Sequence, residues 1–267
     1  MQVTVAKTAG FCFGVRRALE LTQKSAALSP TCTLGELIHN RQVVEELAGQ
    51  GVAVIERPED APAGAAVVIR SHGVGPQAYD TLRAQGSPVI DATCPFVKRI
   101  HQIAAEVPEN GLLLLAGRRE HPEVQGILGY CRGPALVFSS AEEMQELLAF
   151  LPSDGNIPVI LAAQTTFSLR EWEKILFFAK KVCTNLKVFD TICRATIERQ
   201  SEAKQLAQSA DVMVVVGGLH SANTTALAAL CGSYCPTVQV ETADQLERHR
   251  EALRGARFIG ITAGAST

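Results

Sequence analysis

The sequence lacks a marked excess of charge and has no long hydrophobic run. Its 25 Lys and Arg residues nearly balance 27 Asp and Glu, for a formal net charge of -2. The basic residues are scattered, whereas nucleic-acid binding calls for a basic face. The longest apolar runs, 111–117 and 212–216, are too short to span a bilayer, and no basic stretch leads into an apolar core at the N-terminus. We expect a cytoplasmic protein that binds neither nucleic acid nor membrane.

Nucleotide-binding motifs are absent as well. Neither the phosphate loop G-x-x-x-x-G-K-[ST] nor a strand-linked G-x-G-x-x-G occurs, so a nucleotide is not the obvious ligand. Eight cysteines are present without an export signal. This combination indicates a reducing compartment, in which Cys serves as a ligand, a nucleophile or a small hydrophobic side chain rather than in disulfides.

Short runs rich in Val, Ile and Leu alternate with amphipathic helix patterns. The runs 67–69, 112–115 and 212–216 each stop at a small polar cluster. Continuous apolar strands are typical of parallel sheets covered on both faces. Asn40 is a predicted helix cap, and Pro76 suits a first helical turn. The sequence therefore predicts an α/β fold, in which ligands collect where strands end and helices begin.

Three cysteines, Cys12, Cys94 and Cys193, divide the chain into nearly equal thirds. Each precedes a helix-like stretch, and the contexts V-I-D-A-T-C and V-F-D-T-I-C of the last two resemble one another. A thiol at a helix start faces backbone N–H groups, which favours the thiolate that binds soft metals. We expect these sulfurs to meet at one metal centre. We also expect three βα modules, comprising residues 13–94, 95–193, and 194–267 together with the N-terminal strand 1–12.

The residues alone leave the metal open. Zinc with three sulfurs would normally recruit a fourth Cys or His for a closed structural site. An iron–sulfur cluster with three Cys ligands would leave one iron open to substrate. The absence of a C-x-x-C motif near these cysteines argues against an ordinary ferredoxin-type cluster. The remaining cysteines are predicted to be small packing residues: Cys32, Cys131, Cys183, Cys231 and Cys235.

Polar side chains gather at the predicted strand-to-helix junctions. Histidine, hydroxyl and amide groups of this kind can bind an anion such as a small phosphate or diphosphate ester. Glu123 is the one carboxylate embedded in the set. It is either a favourable acidic residue in a first helical turn or a proton donor whose pKa is raised by its surroundings. The other members are His39, His72, His121, Thr165, Thr166, Ser221, Asn223 and Ser266.

A set of motifs extends this pattern almost from end to end: G-F-C-F-G-V (10–15), I-H-N (38–40), S-H-G-V (71–74), D-A-T-C-P (91–95), H-P-E-V-x-G (121–126), Q-T-T (164–166), T-I-C-x-A-T-x-x-R-Q (191–200), V-V-G-G (215–218) and T-A-G-A-S (262–266). In order and spacing they resemble the 4-hydroxy-3-methylbut-2-enyl diphosphate reductase family. The combination is far more specific than any one motif.

The resemblance implies a trefoil of three α/β modules around a [4Fe-4S] cluster held by Cys12, Cys94 and Cys193, with the fourth iron open as the reaction site. It implies that Glu123 supplies protons through Thr165 or the diphosphate while two electrons expel the substrate hydroxyl as water. The products are isopentenyl and dimethylallyl diphosphate, the end of the non-mevalonate isoprenoid pathway, and the expected electron donor is a ferredoxin or flavodoxin. The implied substrate-binding positions are His39, His72, His121, Thr165, Ser221, Ala222, Asn223 and Ser266.

The sequence departs from the family pattern in places. Ala222 stands where the family often has a second serine, and Leu219-His220 replaces a common Lys-Asn, so one diphosphate donor is missing. Family members continue beyond the position of Thr267 through a Pro and a helical tail, so we expect Ser266 to lie beside a fraying end. Two other functions share the same cysteines: a non-redox dehydratase, and a redox-sensing or phosphoester-binding protein without turnover.

Overall fold

Strands and helices alternate along the chain in the computed structural model, which describes residues 1–149 and 157–267. The strands are β1 (Gln2–Val5), β2 (Thr31–Leu34), β3 (Ala53–Ile55), β4 (Ala66–Ile69), β5 (Val89–Asp91), β6 (Leu112–Ala116), β7 (Ala135–Phe138), β8 (Val159–Ala163), β9 (Leu186–Val188), β10 (Val212–Val216), β11 (Thr237–Val240) and β12 (Phe258–Ala263). The α-helices are α1 (Phe13–Ala26), α2 (Arg41–Gly49), α3 (Pro76–Ala84), α4 (Pro95–Ala105), α5 (Pro122–Tyr130), α6 (Ala141–Ala149), α7 (Leu169–Val182), α8 (Arg194–Ala207), α9 (Ala222–Gly232) and α10 (Arg250–Leu253). Segments of 3-10 helix occur at Pro58–Asp60 and Ala243–His249.

The strands of the described residues form three four-stranded sheets. Their orders are β1-β12-β10-β11, β3-β2-β4-β5 and β7-β6-β8-β9. All the pairings are parallel. Parallel neighbours need a crossover connection, and helices supply it here. The predicted α/β class with three parallel-sheet modules is confirmed. No helix in the described ranges is long and apolar enough to cross a bilayer.

The chain divides into two compact units. The first unit contains the sheet of β1, β12, β10 and β11, and the second unit contains the other two sheets. The sheets do not decide to which module the connecting segments belong, so the module boundaries near the cysteines stay a prediction. The first unit comprises Met1–Arg16, Ile38–Glu46 and Cys193–Thr267, and the second comprises Arg17–Leu37 and Leu47–Ile192.

The central strands of two of the three sheets are buried along their length. Every residue of β4, β6 and β8 is buried. In the sheet centred on β6 and β8, Ile100 and Ile103 of α4 and Ile127 of α5 join Leu113 and Leu115 in one hydrophobic core. Coverage by helices explains why these strands read as continuous apolar runs. It also leaves the loops at the strand ends as the places for polar side chains.

Helices begin where the sequence predicts. The Asn40 side chain accepts a hydrogen bond from the Val43 amide at 3.2 Å and so caps α2. Pro76 is the first residue of α3. Cys94 and Cys193 are the N-cap residues of α4 and α8. Two of the three candidate ligands therefore lie at helix N-termini, as expected from their sequence contexts.

We predict that Leu113→Ala lowers the free energy of unfolding by about 2–5 kcal/mol, because this fully buried side chain of β6 would leave a cavity. Leu28→Ala is the matched control, since Leu28 is 87% exposed and surface changes usually stay within about 0.5 kcal/mol. Urea unfolding followed by far-UV circular dichroism measures both. Equal losses in the two variants would contradict the packing described above.

Candidate active site

The candidate residues fall into two groups, one in each compact unit. The first unit carries Cys12, His39, Cys193, Ser221, Ala222, Asn223 and Ser266. The second unit carries His72, Cys94, His121, Glu123 and Thr165. Each group is built on loops that follow strands and on the first turns of helices.

Two candidate ligands of the first unit lie near the same cation. Cys12 lies between β1 and α1, and its amide donates to the Ala265 carbonyl at 3.0 Å. The Cys193 sulfur is 3.1 Å from Thr196 Oγ1. Burial lowers the pKa of the Arg199 guanidinium, and the thiols of Cys12 and Cys193 act in the opposite direction. Both sulfurs are therefore within electrostatic reach of one arginine.

Cys94 is held in a similar way in the second unit. Its amide donates to the Ser71 carbonyl at 3.0 Å. The Arg17 guanidinium donates to the carbonyls of Asp91 and Thr93, each at 3.3 Å. An arginine thus holds the backbone just before this cysteine. All three candidate ligands are half-buried.

Burial raises the thiol pKa of the remaining cysteines above its usual value. Burial raises the pKa of Cys231 to about 12. Since the thiolate is the form that binds metals, a raised pKa disfavours ligation. Burial raises the pKa in the same direction for Cys32, Cys131, Cys183 and Cys235. These properties suit packing residues.

Glu123 and Thr165 form a buried hydrogen-bonded pair. Glu123 lies in the first turn of α5 and is only 2% exposed. Its Oε1 accepts from the Thr165 amide at 2.7 Å, and its Oε2 accepts from the Thr165 hydroxyl at 2.8 Å. Burial raises the pKa of Glu123 to about 7, although the two bonds from Thr165 lower it. The carboxyl can therefore hold or release a proton near neutral pH.

Neighbouring strands fix the position of Thr165. The Gln164 amide donates to the Ala116 carbonyl at 2.7 Å. The Thr191 hydroxyl accepts from the Ala163 amide at 2.8 Å and donates to the Ala163 carbonyl at 2.7 Å. Thr191 thus ties the end of β8 to the segment that leads to Cys193. In the sequence, Thr191 is marked only by its place at the start of the T-I-C motif.

Two histidines of the second unit lie together. The rings of His72 and His121 are perpendicular, with centroids 5.3 Å apart. His121 caps α5, and its Nδ1 accepts from the Glu123 amide at 3.1 Å. An accepting Nδ1 leaves the proton of the neutral ring on Nε2, which makes that nitrogen a donor.

The glycine of the S-H-G motif shapes the loop that carries His72. Gly73 has a φ of 73°. A Cβ added there would lie 2.6 Å from His101 Cε1 and 2.9 Å from Thr93 Cγ2. The positive φ and the lack of room for a Cβ both favour glycine. His101 is itself buried, and burial lowers its pKa to about 4, so the packing ring is neutral.

Helix α9 presents a buried amide in the first unit. Ser221 is its N-cap and accepts from the Thr224 amide at 3.4 Å. Asn223 is 6% exposed, and in the described ranges neither Oδ1 nor Nδ2 has a hydrogen-bond partner. A buried amide without partners is costly, so a polar ligand is its natural complement. Ala222, between Ser221 and Asn223, offers no side-chain donor.

Ser266 and His39 belong to one bonded loop pair in the first unit. The Ser266 hydroxyl donates to the His39 carbonyl at 3.4 Å. The Asn40 side chain donates to the Ser266 carbonyl at 2.8 Å. Asn40 therefore both caps α2 and ties the T-A-G-A-S motif to the I-H-N motif.

Known proteins resemble this chain along its whole length. The family described as LytB protein matches residues 3–267. A protein of Caldanaerobacter subterraneus subsp. tengcongensis is 41% identical over 277 residues, covering 100% of this chain and 92% of that protein. A protein of Geobacter sulfurreducens is 42% identical over 271 residues, covering 100% and 93%. Both relatives are named 4-hydroxy-3-methylbut-2-enyl diphosphate reductase.

Solved structures also resemble this chain along its whole length. The E-1-hydroxy-2-methyl-but-2-enyl-4-diphosphate reductase of Plasmodium falciparum has a TM-score of 0.92 at 26% identity, covering 100% of this chain and 84% of that one. A second structure, of (E)-4-hydroxy-3-methyl-but-2-enyl diphosphate reductase, has a TM-score of 0.68 at 38% identity, covering 100% and 95%. The match to the family over residues 3–267, together with relatives above 40% identity over the full chain, means that this chain belongs to the LytB protein family.

Proposed function

We propose that this chain is a 4-hydroxy-3-methylbut-2-enyl diphosphate reductase, the terminal enzyme of the non-mevalonate pathway. It breaks the allylic C–O bond of its substrate and forms one C–H bond, at either end of the resulting allyl unit. The reaction consumes two electrons and two protons, releases one water, and yields isopentenyl or dimethylallyl diphosphate. The observation that carries the proposal is the buried Glu123–Thr165 pair in a LytB family member. A sensor or a binding protein has no need of a buried proton donor.

The family depends on an iron–sulfur cofactor. We assign a [4Fe-4S] cluster to Cys12, Cys94 and Cys193, which are half-buried thiols beside helix starts. A buried N–H donor supports this assignment, since Arg199 Nε lacks an acceptor among the described residues and Arg199 is the cation whose pKa the thiols of Cys12 and Cys193 raise. When bound, the cluster supplies single electrons and one iron without a cysteine ligand. A ferredoxin or flavodoxin is the proposed electron donor.

A closed zinc site fits the cysteines less well. It would need a fourth Cys or His beside the three candidates. Cys32, Cys231 and Cys235 instead pack in the hydrophobic cores of the sheets. Burial also raises the pKa of these thiols, which disfavours their recruitment as a fourth ligand.

The substrate diphosphate is assigned to the histidine, hydroxyl and amide donors of both groups. The amide of Asn223 provides the best support, because it is buried and both of its polar atoms lack partners within the described residues. His121 presents its Nε2 proton when neutral, and a protonated histidine would add charge. The proposed binding residues are His39, His72, His121, Thr165, Ser221, Asn223 and Ser266, with Ala222 contributing main chain only.

Glu123 is the proposed source of protons, with Thr165 as its relay. The Thr165 hydroxyl is bonded to Glu123 Oε2 at 2.8 Å and can pass a proton onward while it accepts one from the carboxyl. Burial keeps water from competing for the carboxyl and holds a useful share of it protonated near neutral pH. The allylic hydroxyl of the substrate must be protonated because hydroxide is a poor leaving group.

Anaerobic turnover with a chemically reduced dye tests the function. We expect the full chain to consume the allylic diphosphate and to oxidise two electron equivalents of dye for each substrate lost. Substrate loss without dye oxidation would identify a non-redox dehydratase instead. Binding without any turnover would identify a sensor or binding protein.

Cysteine variants test the ligand assignment. Cys94→Ser should abolish stable cluster binding, because it removes one of three proposed ligands. Cys183→Ser is the matched control and should retain the cluster, since Cys183 ends α7 and burial raises the pKa of its thiol. Iron and sulfide analysis after anaerobic purification measures both. Full cluster content in Cys94→Ser, or stoichiometric zinc without sulfide in the parent protein, would refute the assignment.

Glu123→Gln tests the proton donor. We expect kcat to fall roughly a hundredfold or more while cluster content and substrate binding persist. Because the pKa of Glu123 is raised to about 7, the parent carboxyl is protonated below that pH, and its contribution to kcat should be lost as the pH rises through about 7. The residual rate of the variant should lack this dependence. Glu120→Gln, at an exposed neighbouring position, is the control and should leave kcat unchanged. An unchanged kcat in Glu123→Gln would remove Glu123 as donor.

A further inference from the structure

Arg199 is a buried cation bonded mainly to one loop. The residue is 3% exposed and lies on α8, the helix that Cys193 caps. Its Nη2 donates to the carbonyls of Thr8 and Gly10, both at 2.6 Å. Its Nη1 donates within the helix to the Ala195 carbonyl at 3.4 Å. The guanidinium therefore holds the loop that leads into Cys12.

Glu202 holds the same loop from the same helix. Its carboxylate accepts from the amides of Lys7 and Thr8, each at 2.8 Å, and from the Thr8 hydroxyl at 2.6 Å. Residues three apart on a helix share a face, so Arg199 and Glu202 act side by side. Arg199 donates to carbonyls of the loop, and Glu202 accepts from its amides. Helix α8 thus fixes the Cys12 loop relative to Cys193.

These hydrogen bonds do not neutralise the positive charge of Arg199. Its hydrogen bonds go to backbone carbonyls, and in the described ranges its Nε has no acceptor. A buried cation is costly unless negative charge lies nearby. Burial lowers the pKa of Arg199, and the thiols of Cys12 and Cys193 are the leading influences that raise it, ahead of Glu202. Its Nη2 holds the carbonyl two residues before Cys12, and its helix begins directly after Cys193, so this arginine joins the two segments that carry these candidate ligands.

We propose that Arg199 is a positioning residue that holds Cys12 and Cys193 in ligating geometry and supplies the buried positive charge that favours the reduced form of the bound cluster. The inference rests on the proposed function, since it takes the cluster as given. Reduction adds negative charge, and a nearby buried cation stabilises that charge more than an exposed one would. Arg199 therefore makes the reduction potential less negative, and its removal makes the potential more negative.

Three variants separate the charge from the geometry. Arg199→Met removes both the charge and the loop contacts. Arg199→Lys keeps the charge but loses the fork that holds the two carbonyls. Arg194→Met is the matched control: Arg194 directly follows Cys193, but its side chain is 84% exposed and pairs with Glu198 at 2.7 Å. The full chain is used throughout, both loaded with cluster and cluster-free.

The readouts are the midpoint potential of the loaded protein and the amide exchange of the loop. Arg199→Met should shift the potential to more negative values, whereas Arg199→Lys and Arg194→Met should stay close to the parent. The amide of Thr8 should exchange on the order of tenfold faster in Arg199→Met and also faster in Arg199→Lys, because the loop contacts are weakened in both. Arg194→Met should leave this exchange unchanged.

Distinct outcomes overturn the inference and the function. A parent-like potential and parent-like exchange in Arg199→Met would refute the inference. If Arg199→Met does not fold, a potential in Arg199→Lys clearly more negative than that of the parent, or parent-like exchange of Thr8 in Arg199→Lys, would refute it. A parent protein without iron and sulfide would refute the proposed function, and exchange in the cluster-free chain would still decide whether Arg199 holds the loop.

Discussion

Parallel strand pairing is the constraint on which the candidate site depends. Parallel strands end at the same edge of their sheet, so the loops and helix starts that follow them gather there. Cys94 follows β5 and caps α4, Thr165 follows β8, and Ser221 caps α9 after β10. β8 is buried along its whole length and β10 along all but its last residue, so these strands leave no place for polar groups within them. The chemistry is therefore confined to the strand ends by the same burial that stabilises the sheets.

Two buried ionisable groups distinguish this site from a set of ordinary helix caps. Glu123 is removed from water, and this burial raises its pKa to about 7 although the two hydrogen bonds from Thr165 lower it. Arg199 is removed from water with its hydrogen bonds directed at backbone carbonyls. Each arrangement costs stability in the free protein. The burial of Arg199 becomes favourable when a bound group brings negative charge beside it. The burial of Glu123 becomes useful when its carboxyl transfers a proton to a bound ligand.

The sequence predicted the fold class and the helix starts because both follow from local patterns. Apolar runs of strand length and a cap such as Asn40 are visible in the chain itself. The two interpretations of Glu123 could not be separated in that way, since burial depends on how α5 packs against β6 and β8. The sequence does not reveal the burial of Arg199, because an arginine in a helix pattern is usually exposed. The only signal was its place in the motif that begins with Thr191. Module boundaries also stay a prediction, because the sheets do not assign the segments between them.

The central claim is that Cys12, Cys94 and Cys193 hold one four-iron cluster whose remaining iron meets the substrate. Mössbauer spectroscopy of the protein loaded with iron-57 tests it most directly, because the spectrum reports the surroundings of each iron. We expect one iron to differ from the other three and its signal alone to respond strongly when the allylic diphosphate is added. Four equivalent irons whose signals do not respond to the substrate would contradict the proposed cluster site. A protein that binds no iron would contradict it as well.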